Sequence, residues 1–115
     1  MKRDNDLIRA LLLEMEAKGD FRFDPIEGTP EEDIDKRIYH LKLLGDAGYV
    51  APVGKYSYRL TNHAHDFIEA MRDEGIWNRT KDAVAKSGGN ATLDIIKQIA
   101  VGFLKKQIRD RTGVD

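Results

Sequence analysis

The chain has 115 residues, of which 41% are hydrophobic, so it is long enough to bury one sizeable core but hardly two. It contains no cysteine, which excludes a disulfide framework and a zinc site built on thiolates, and its net charge of −1 lacks the basic excess that most nucleic-acid binders use for phosphate contacts. Since no segment approaches the roughly 20 apolar residues of a membrane span or a signal peptide's hydrophobic region, we expect a cytoplasmic protein that does not contact membranes.

The N-terminal segment predicts a helix followed by a short strand. After Gly19, the residues Phe21 to Phe23 alternate apolar, polar and apolar, which is the period of a half-buried strand. We predict that this strand pairs with the hairpin that follows later in the chain. The helix runs from about Asp4 to Lys18, where apolar residues recur at helical spacing: Leu7, Ile8, Leu11, Leu12 and Met15.

A second helix is predicted from Pro30 to Ala47. Thr29 and Glu32 have the spacing of a capping box, in which Thr29 is the N-cap and Glu32 reaches back to its amide. In a usual helix-turn-helix a separate short helix precedes the recognition helix, but here the segment Phe21 to Gly28 occupies that place. The predicted core face of the helix carries Ile34, Ile38, Leu41 and Leu44.

The next segment predicts a β-hairpin. Tyr49 to Val53 form its first strand, and Pro52 suggests an edge position that needs no backbone donor. Gly54 and Lys55 turn the chain, and Tyr56 to Leu60 return as the second strand. A helix followed by such a hairpin is the second half of a winged helix, whose hairpin is called the wing and often contacts DNA, although a fold does not by itself fix a function.

Three further helices are predicted after the hairpin, and the last begins at a cap formed by Asn90 or Thr92 and extends to Ile108. We predict an α+β, mainly α fold, in which residues 1–72 form a winged-helix-like domain with a small β-hairpin wing. Residues 73–115 then form a C-terminal helical extension that packs on this domain or mediates dimerisation.

Several short motifs occur in a distinctive order along the chain. They are M-K-R-D-x-D-L-I-R at Met1 to Arg9, Y-H-L-K-L-L-x-x-A-G at Tyr39 to Gly48, and R-L-T at Arg59 to Thr61. The D-E-x-I-W segment at Asp73 to Trp77 and a hinge at Gly88-Gly89 follow. Together these stretches, which span almost the whole chain, resemble a small family of uncharacterised bacterial and phage proteins catalogued only as a domain of unknown function. The resemblance implies a winged-helix-like architecture and a mobile-element context, and it implies no activity.

The leading functional hypothesis is double-stranded DNA binding by a phage or mobile-element transcriptional regulator. Basic and polar residues of the second helix fall away from its core face, where they would reach phosphates or base edges, and a basic wing suits backbone or minor-groove contact. A solvated helix face, with Asp33 and Arg37 paired at i,i+4, explains the helix residues equally well. The predicted nucleic-acid-binding residues are Lys36, Arg37, Tyr39, His40, Lys55, Tyr56 and Arg59.

The alternative hypothesis is a protein–protein interaction module, such as an adaptor or anti-repressor, on the same scaffold without DNA binding. The two functions require different surfaces. DNA binding requires the cations of the helix and the wing to converge on one positive face, whereas an apolar patch or an acidic rim there favours a protein partner.

The last helix predicts a homodimer, because its apolar stripe is wide for a small domain and Gly102 would let another backbone approach closely. A core helix that packs on Trp77 is the structural alternative. The predicted dimer-interface residues are Ile96, Ile99 and Phe103.

No motif predicts an enzyme, a cofactor or a metal site. Neither Ser57 nor Ser87 lies in a nucleophile elbow, and no phosphate-binding glycine motif is present. His63 and His65 are two residues apart rather than the four that a zinc-binding pair on a helix requires.

Overall fold

The computed structural model describes residues 1–113. The observed order of elements is the predicted α+β, mainly α fold, in which a small hairpin is followed by C-terminal helices, and this prediction is confirmed. Within residues 1–113, no helix is both long enough and apolar enough to cross a membrane. The elements are α1 (Asn5–Ala17), α2 (Glu31–Asp46), β1 (Val50–Val53), β2 (Ser57–Leu60), α3 (Asn62–Met71), α4 (Glu74–Lys86) and α5 (Leu93–Thr112).

The chain divides into two compact units, Met1–His65 and the residues from Asp66 onward. The division lies inside α3, so the first unit contains α1, α2 and the hairpin, and the second contains α4 and α5. The division predicted from the sequence, between residues 72 and 73, follows the end of the same helix.

The first unit is built on the packing of α1 against α2. From the predicted core face of α2, Leu41 and Leu44 are fully buried, whereas Ile34 and Ile38 are half-buried. Burying a leucine or isoleucine side chain contributes about 1.5–3 kcal/mol, so this packing is a main source of the unit's stability. The buried residues of α1 are Ile8, Leu11, Leu12 and Met15.

The segment between α1 and α2, every residue of which the structure describes, forms no helix. The short helix of a usual helix-turn-helix is therefore missing here. The predicted capping box is wrong: α2 begins at Glu31 after Pro30, which makes no side-chain cap. The hydroxyl of Thr29 instead donates to the carbonyl oxygen of Pro25 at 2.9 Å.

The hairpin pairs β1 and β2 antiparallel, with Val50 opposite Leu60 and Val53 opposite Ser57. Phe23 adds an isolated bridge on the far side of β2: its N–H donates to the carbonyl oxygen of Tyr58 at 2.8 Å, and the N–H of Tyr58 donates back at 2.9 Å. The predicted pairing with the hairpin is confirmed at Phe23, but the segment forms this single bridge and no strand, and Phe21 is 67% exposed.

In the second unit, α4 packs against α5. Asp73 caps α4 by accepting from the N–H of Ile76 at 3.0 Å, and Thr92, one of the two predicted caps, accepts from the N–H of Ile95 at 3.2 Å. A small buried cluster joins the elements: Ala70, Ile76 and Ala100, with Val101, Phe103 and Leu104 packed against it.

Candidate interaction surface

His40, a predicted DNA contact, is fully buried. Its Nε2 accepts a hydrogen bond from the backbone N–H of Asp4 at 2.8 Å, so its proton resides on Nδ1, which donates to the carbonyl oxygen of Lys36 at 2.7 Å. The prediction that His40 faces outward is therefore wrong. The residue lies on the side of α2 that the start of α1 covers, and both ring nitrogens are used within the unit.

Lys36 and Arg37 also bind α1 or its neighbouring loop. The ammonium of Lys36 lies 3.1 Å from the carboxylate of Asp4. The guanidinium of Arg37 donates two hydrogen bonds to Glu14, at 3.0 and 3.1 Å, and its side chain is only 16% exposed. Arg37 thus pairs with a carboxylate of α1 and not with Asp33.

Asp4, Glu14, Lys36, Arg37 and His40 together form what we call the α1–α2 seam. Asp4 links it to the helix cap, because its carboxylate accepts from the N–H groups of Leu7 and Asp6. The hydrogen bond from the Leu7 amide and the contact with Lys36 lower the pKa of Asp4. The seam uses three of the seven predicted DNA-binding residues to hold two helices together.

The wing residues remain on the surface. Lys55 and Tyr56 are exposed at the hairpin turn, Tyr56 by 73%. Arg59 is exposed on β2 and donates to the carbonyl oxygen of Leu60 at 3.2 Å. The wing therefore exposes two cations and one aromatic side chain. Arg37, which the predicted positive face also includes, instead pairs with Glu14.

The exposed surface of α2 is acidic. It carries five exposed carboxylates against two exposed lysines, and one of those lysines, Lys36, already pairs with Asp4. Such a surface repels the phosphate backbone of DNA, which attracts basic side chains. The carboxylates are Glu31, Glu32, Asp33, Asp35 and Asp46.

An open groove, which we call the α2–β1 groove, lies between the C-terminal half of α2 and β1, and Asp46 is the one of these carboxylates that lines it. Most of the side chains that line it are apolar or aromatic, with Lys42 and Asp46 as its charged residues. Of the residues that line the groove, only Tyr39 was predicted from the sequence to be functional. Pro52, which indicates an edge strand, was the sequence feature that could have identified the other lining residues. The lining residues are Tyr39, Lys42, Leu43, Gly45, Asp46, Val50, Ala51, Pro52 and Tyr58.

The edge of β1 restricts how a partner can use this groove. The N–H of Thr61 donates to the carbonyl oxygen of Tyr49, and alternation along an antiparallel pair then turns the backbone groups of Val50 and Pro52 towards the free edge. Proline has no N–H to donate, so a complete additional strand cannot pair there. A partner can therefore bind at this edge through side-chain contacts.

One of the predicted dimer-interface residues, Ile96, belongs to the core. Ile96 is 1% exposed within the single chain, and Phe103 packs against the cluster of Ala70, Ile76 and Ala100. The assignment of Ile96 to a dimer interface is therefore wrong, since the chain itself covers it, whereas Phe103 is half-buried and its assignment stays a prediction. Ile99 is half-buried, and Ile95 on the same helix is 45% exposed.

Comparisons with known proteins give a family and one distant relative. The family model described as "Hypothetical protein (DUF2513)" matches residues 2–90. A protein of Haemophilus influenzae described as "Uncharacterized protein" is 29% identical over 117 aligned positions, which cover 94% of this chain and 99% of that protein. No solved structure matches.

Proposed function

Because this chain belongs to the DUF2513 family, whose description carries no activity, we propose its function from the surface of its first unit: a protein–protein interaction module on a winged-helix-like scaffold. The membership confirms the resemblance read from the motifs between Met1 and Gly89. The observation that carries the proposal is the α2–β1 groove, a largely apolar surface lined in part by α2, whose exposed charged residues are mainly carboxylates.

The groove defines the chemistry of the partner. Tyr39, Leu43 and Pro52 offer apolar contact area, and an aromatic or aliphatic side chain that fills such a pocket is the usual anchor of a protein interface. The carboxylates of α2 outnumber its lysines, so a segment with lysine or arginine beside its anchor is electrostatically complementary. We propose that the occupant is such a basic segment of another protein.

The proposal is tested by selecting binders from a random peptide library with the purified full chain and measuring affinity by fluorescence anisotropy. We expect the selected peptides to combine an apolar anchor with lysine or arginine. Tyr39→Ala should weaken their binding by about tenfold, because it removes contact area inside the groove. Tyr56→Ala is the matched control, since this tyrosine is also exposed but does not line the groove.

Reversing the charge of each of the two charged residues of the groove gives a second test, because the two changes should affect peptide affinity in opposite directions. Asp46→Lys should weaken the binding of a basic peptide, and Lys42→Glu should strengthen it. The proposal fails if no peptide binds the folded chain, or if Tyr56→Ala weakens binding while Tyr39→Ala does not.

DNA binding by a phage or mobile-element regulator is the second candidate, and the exposed wing favours it. Lys55, Tyr56 and Arg59 all lie on the surface of the hairpin, where they suit contact with a phosphate backbone. On this proposal, Lys55→Gln or Arg59→Gln should each lower the salt slope of duplex binding by about 1. A folded chain that binds no duplex even at low salt would exclude this candidate and leave the first.

A further inference from the structure

An open pocket lies between α4 and α5, and all of its lining residues belong to the second unit. We call it the α4–α5 pocket. Its walls carry three cationic side chains and one carboxylate, and an aromatic ring contributes the apolar part. The lining residues are Arg79, Phe103, Lys106, Gln107, Asp110 and Arg111.

The pocket holds one carboxylate, Asp110, against its three cations. In the part of the chain that the structure describes, neither Arg79 nor Lys106 forms an ion pair, and both are exposed. Arg111 lies close enough to Asp73 for its charge to affect that carboxylate. Like charges that share one cavity repel each other, and an anion between them relieves the repulsion.

Two of the residues that line the pocket make contacts within the second unit. The side chain of Gln107 on α5 hydrogen-bonds the carboxylate of Asp73, whose principal contact is the N–H of Ile76. The Ile76 amide lowers the pKa of Asp73, and Gln107 and Arg111 lower it further. Phe103 packs on the buried cluster below. Gln107 and Phe103 are thus held by contacts of their own, whereas a ligand would have to order the exposed side chains of Arg79 and Lys106.

We propose that the α4–α5 pocket binds a phosphate group. A guanidinium donates hydrogen bonds in a fork that matches phosphate oxygens, and an ammonium adds a point charge. Arg79 and Lys106, from facing helices, supply one of each, and Arg111 contributes a further cation near its Asp73 partner. Phosphates of a nucleic-acid backbone and of a small phosphate ester have this chemistry in common.

The proposal goes beyond the peptide-binding function, which involves the other unit, and the two are tested with different probes. The full chain is titrated at low salt with inorganic pyrophosphate and, separately, with a duplex DNA oligonucleotide, using calorimetry. We expect at least one probe to bind, and Arg79→Gln and Lys106→Gln each to weaken binding by about tenfold. Circular dichroism verifies that each variant is folded.

Lys105→Gln is the matched control, because this exposed lysine is the neighbour of Lys106 on α5 but does not line the pocket. It removes the same charge and should leave pyrophosphate affinity within about twofold. Binding of pyrophosphate alone identifies a small phosphate ester as the source, and binding of the duplex identifies a nucleic acid.

Three results overturn the proposal. The first is that neither probe binds the folded wild-type chain. The second is that Lys105→Gln weakens binding as much as Lys106→Gln, which would indicate attraction by net charge alone. The third is that a probe binds but Arg79→Gln and Lys106→Gln leave its affinity unchanged, which would assign the binding to another surface such as the wing.

Discussion

The imidazole of His40 accepts a hydrogen bond through Nε2 from the backbone N–H of Asp4, at 2.8 Å. This contact joins the residue that caps α1 to the buried side of α2. Tyr39, the preceding residue, is 36% exposed and lines the α2–β1 groove. Two consecutive residues of one helix therefore face different surroundings. A substitution of His40 should mainly affect stability, and a substitution of Tyr39 should mainly affect peptide binding.

His40→Ala should lower the free energy of unfolding by about 2–4 kcal/mol, because it leaves the amide of Asp4 without its acceptor and opens a cavity. Tyr39→Ala, its neighbour and control, should change stability by less than about 1 kcal/mol. Urea denaturation at neutral pH measures both. Equal losses of unfolding free energy for the two variants would contradict the stabilising role of His40 in the α1–α2 seam.

Asp4 should make stability dependent on acid pH. The Leu7 amide and Lys36 hold the pKa of Asp4 in the folded chain below its ordinary value of 3.8. Its contribution is therefore fully present above about 3.8 and is lost as the pH falls through the lower, folded pKa. Asp4→Asn should be less stable than the wild type at pH 7, and the two free energies should converge in acid. A difference that persists unchanged at the lowest accessible pH would contradict this account.

Arg37→Ala should destabilise the chain by about 1–3 kcal/mol, because it removes two hydrogen bonds to Glu14 and a side chain that is only 16% exposed. Peptide binding should be unaffected. Lys42→Ala is the opposite case: Lys42 lines the groove and pairs with no described carboxylate, so it should alter affinity and leave stability within about 0.5 kcal/mol. Thermal unfolding and anisotropy on both variants supply the comparison.

Gly102→Ala tests whether a second copy covers α5. A Cβ added at Gly102 meets nothing within 4 Å, so in a monomer alanine should stabilise the helix by up to about 1 kcal/mol. In a homodimer that uses this glycine for close approach, the same change should weaken self-association. Unfolding and analytical ultracentrifugation at micromolar concentration distinguish the outcomes.

Gly48→Ala is the control for a glycine that the backbone requires. Gly48 has φ +83, a conformation that costs an alanine roughly 1 kcal/mol or more. This variant should lose stability where Gly102→Ala does not. A gain at both positions would show that conformational strain at Gly48 is not significant.

The sequence by itself determined the elements and their order. Apolar spacing located α1 and two of the buried residues of α2, Leu41 and Leu44, and the alternation after Tyr49 located the hairpin. These are local patterns, because a helix or strand presents its own residues at a fixed period. The alternation of Phe21 to Phe23 also predicted pairing with the hairpin, although the structure limits it to the single bridge of Phe23 with Tyr58. Composition excluded thiolate chemistry, because the chain has no cysteine.

Only the tertiary structure decided which side chains of α2 reach a partner. Lys36, Arg37, Tyr39 and His40 were all predicted to lie off the core face. The helical period of about 100° per residue in fact places Arg37 and His40 closer to Leu41 and Leu44 than Lys36 and Tyr39, but it does not identify their partners. Their outcomes differ because the start of α1 covers one part of that surface. Arg37 finds its carboxylate in Glu14, 23 residues away, and Asp4 lies 36 residues from His40. Such contacts depend on how two helices pack, and the spacing of residues within either helix does not contain that information.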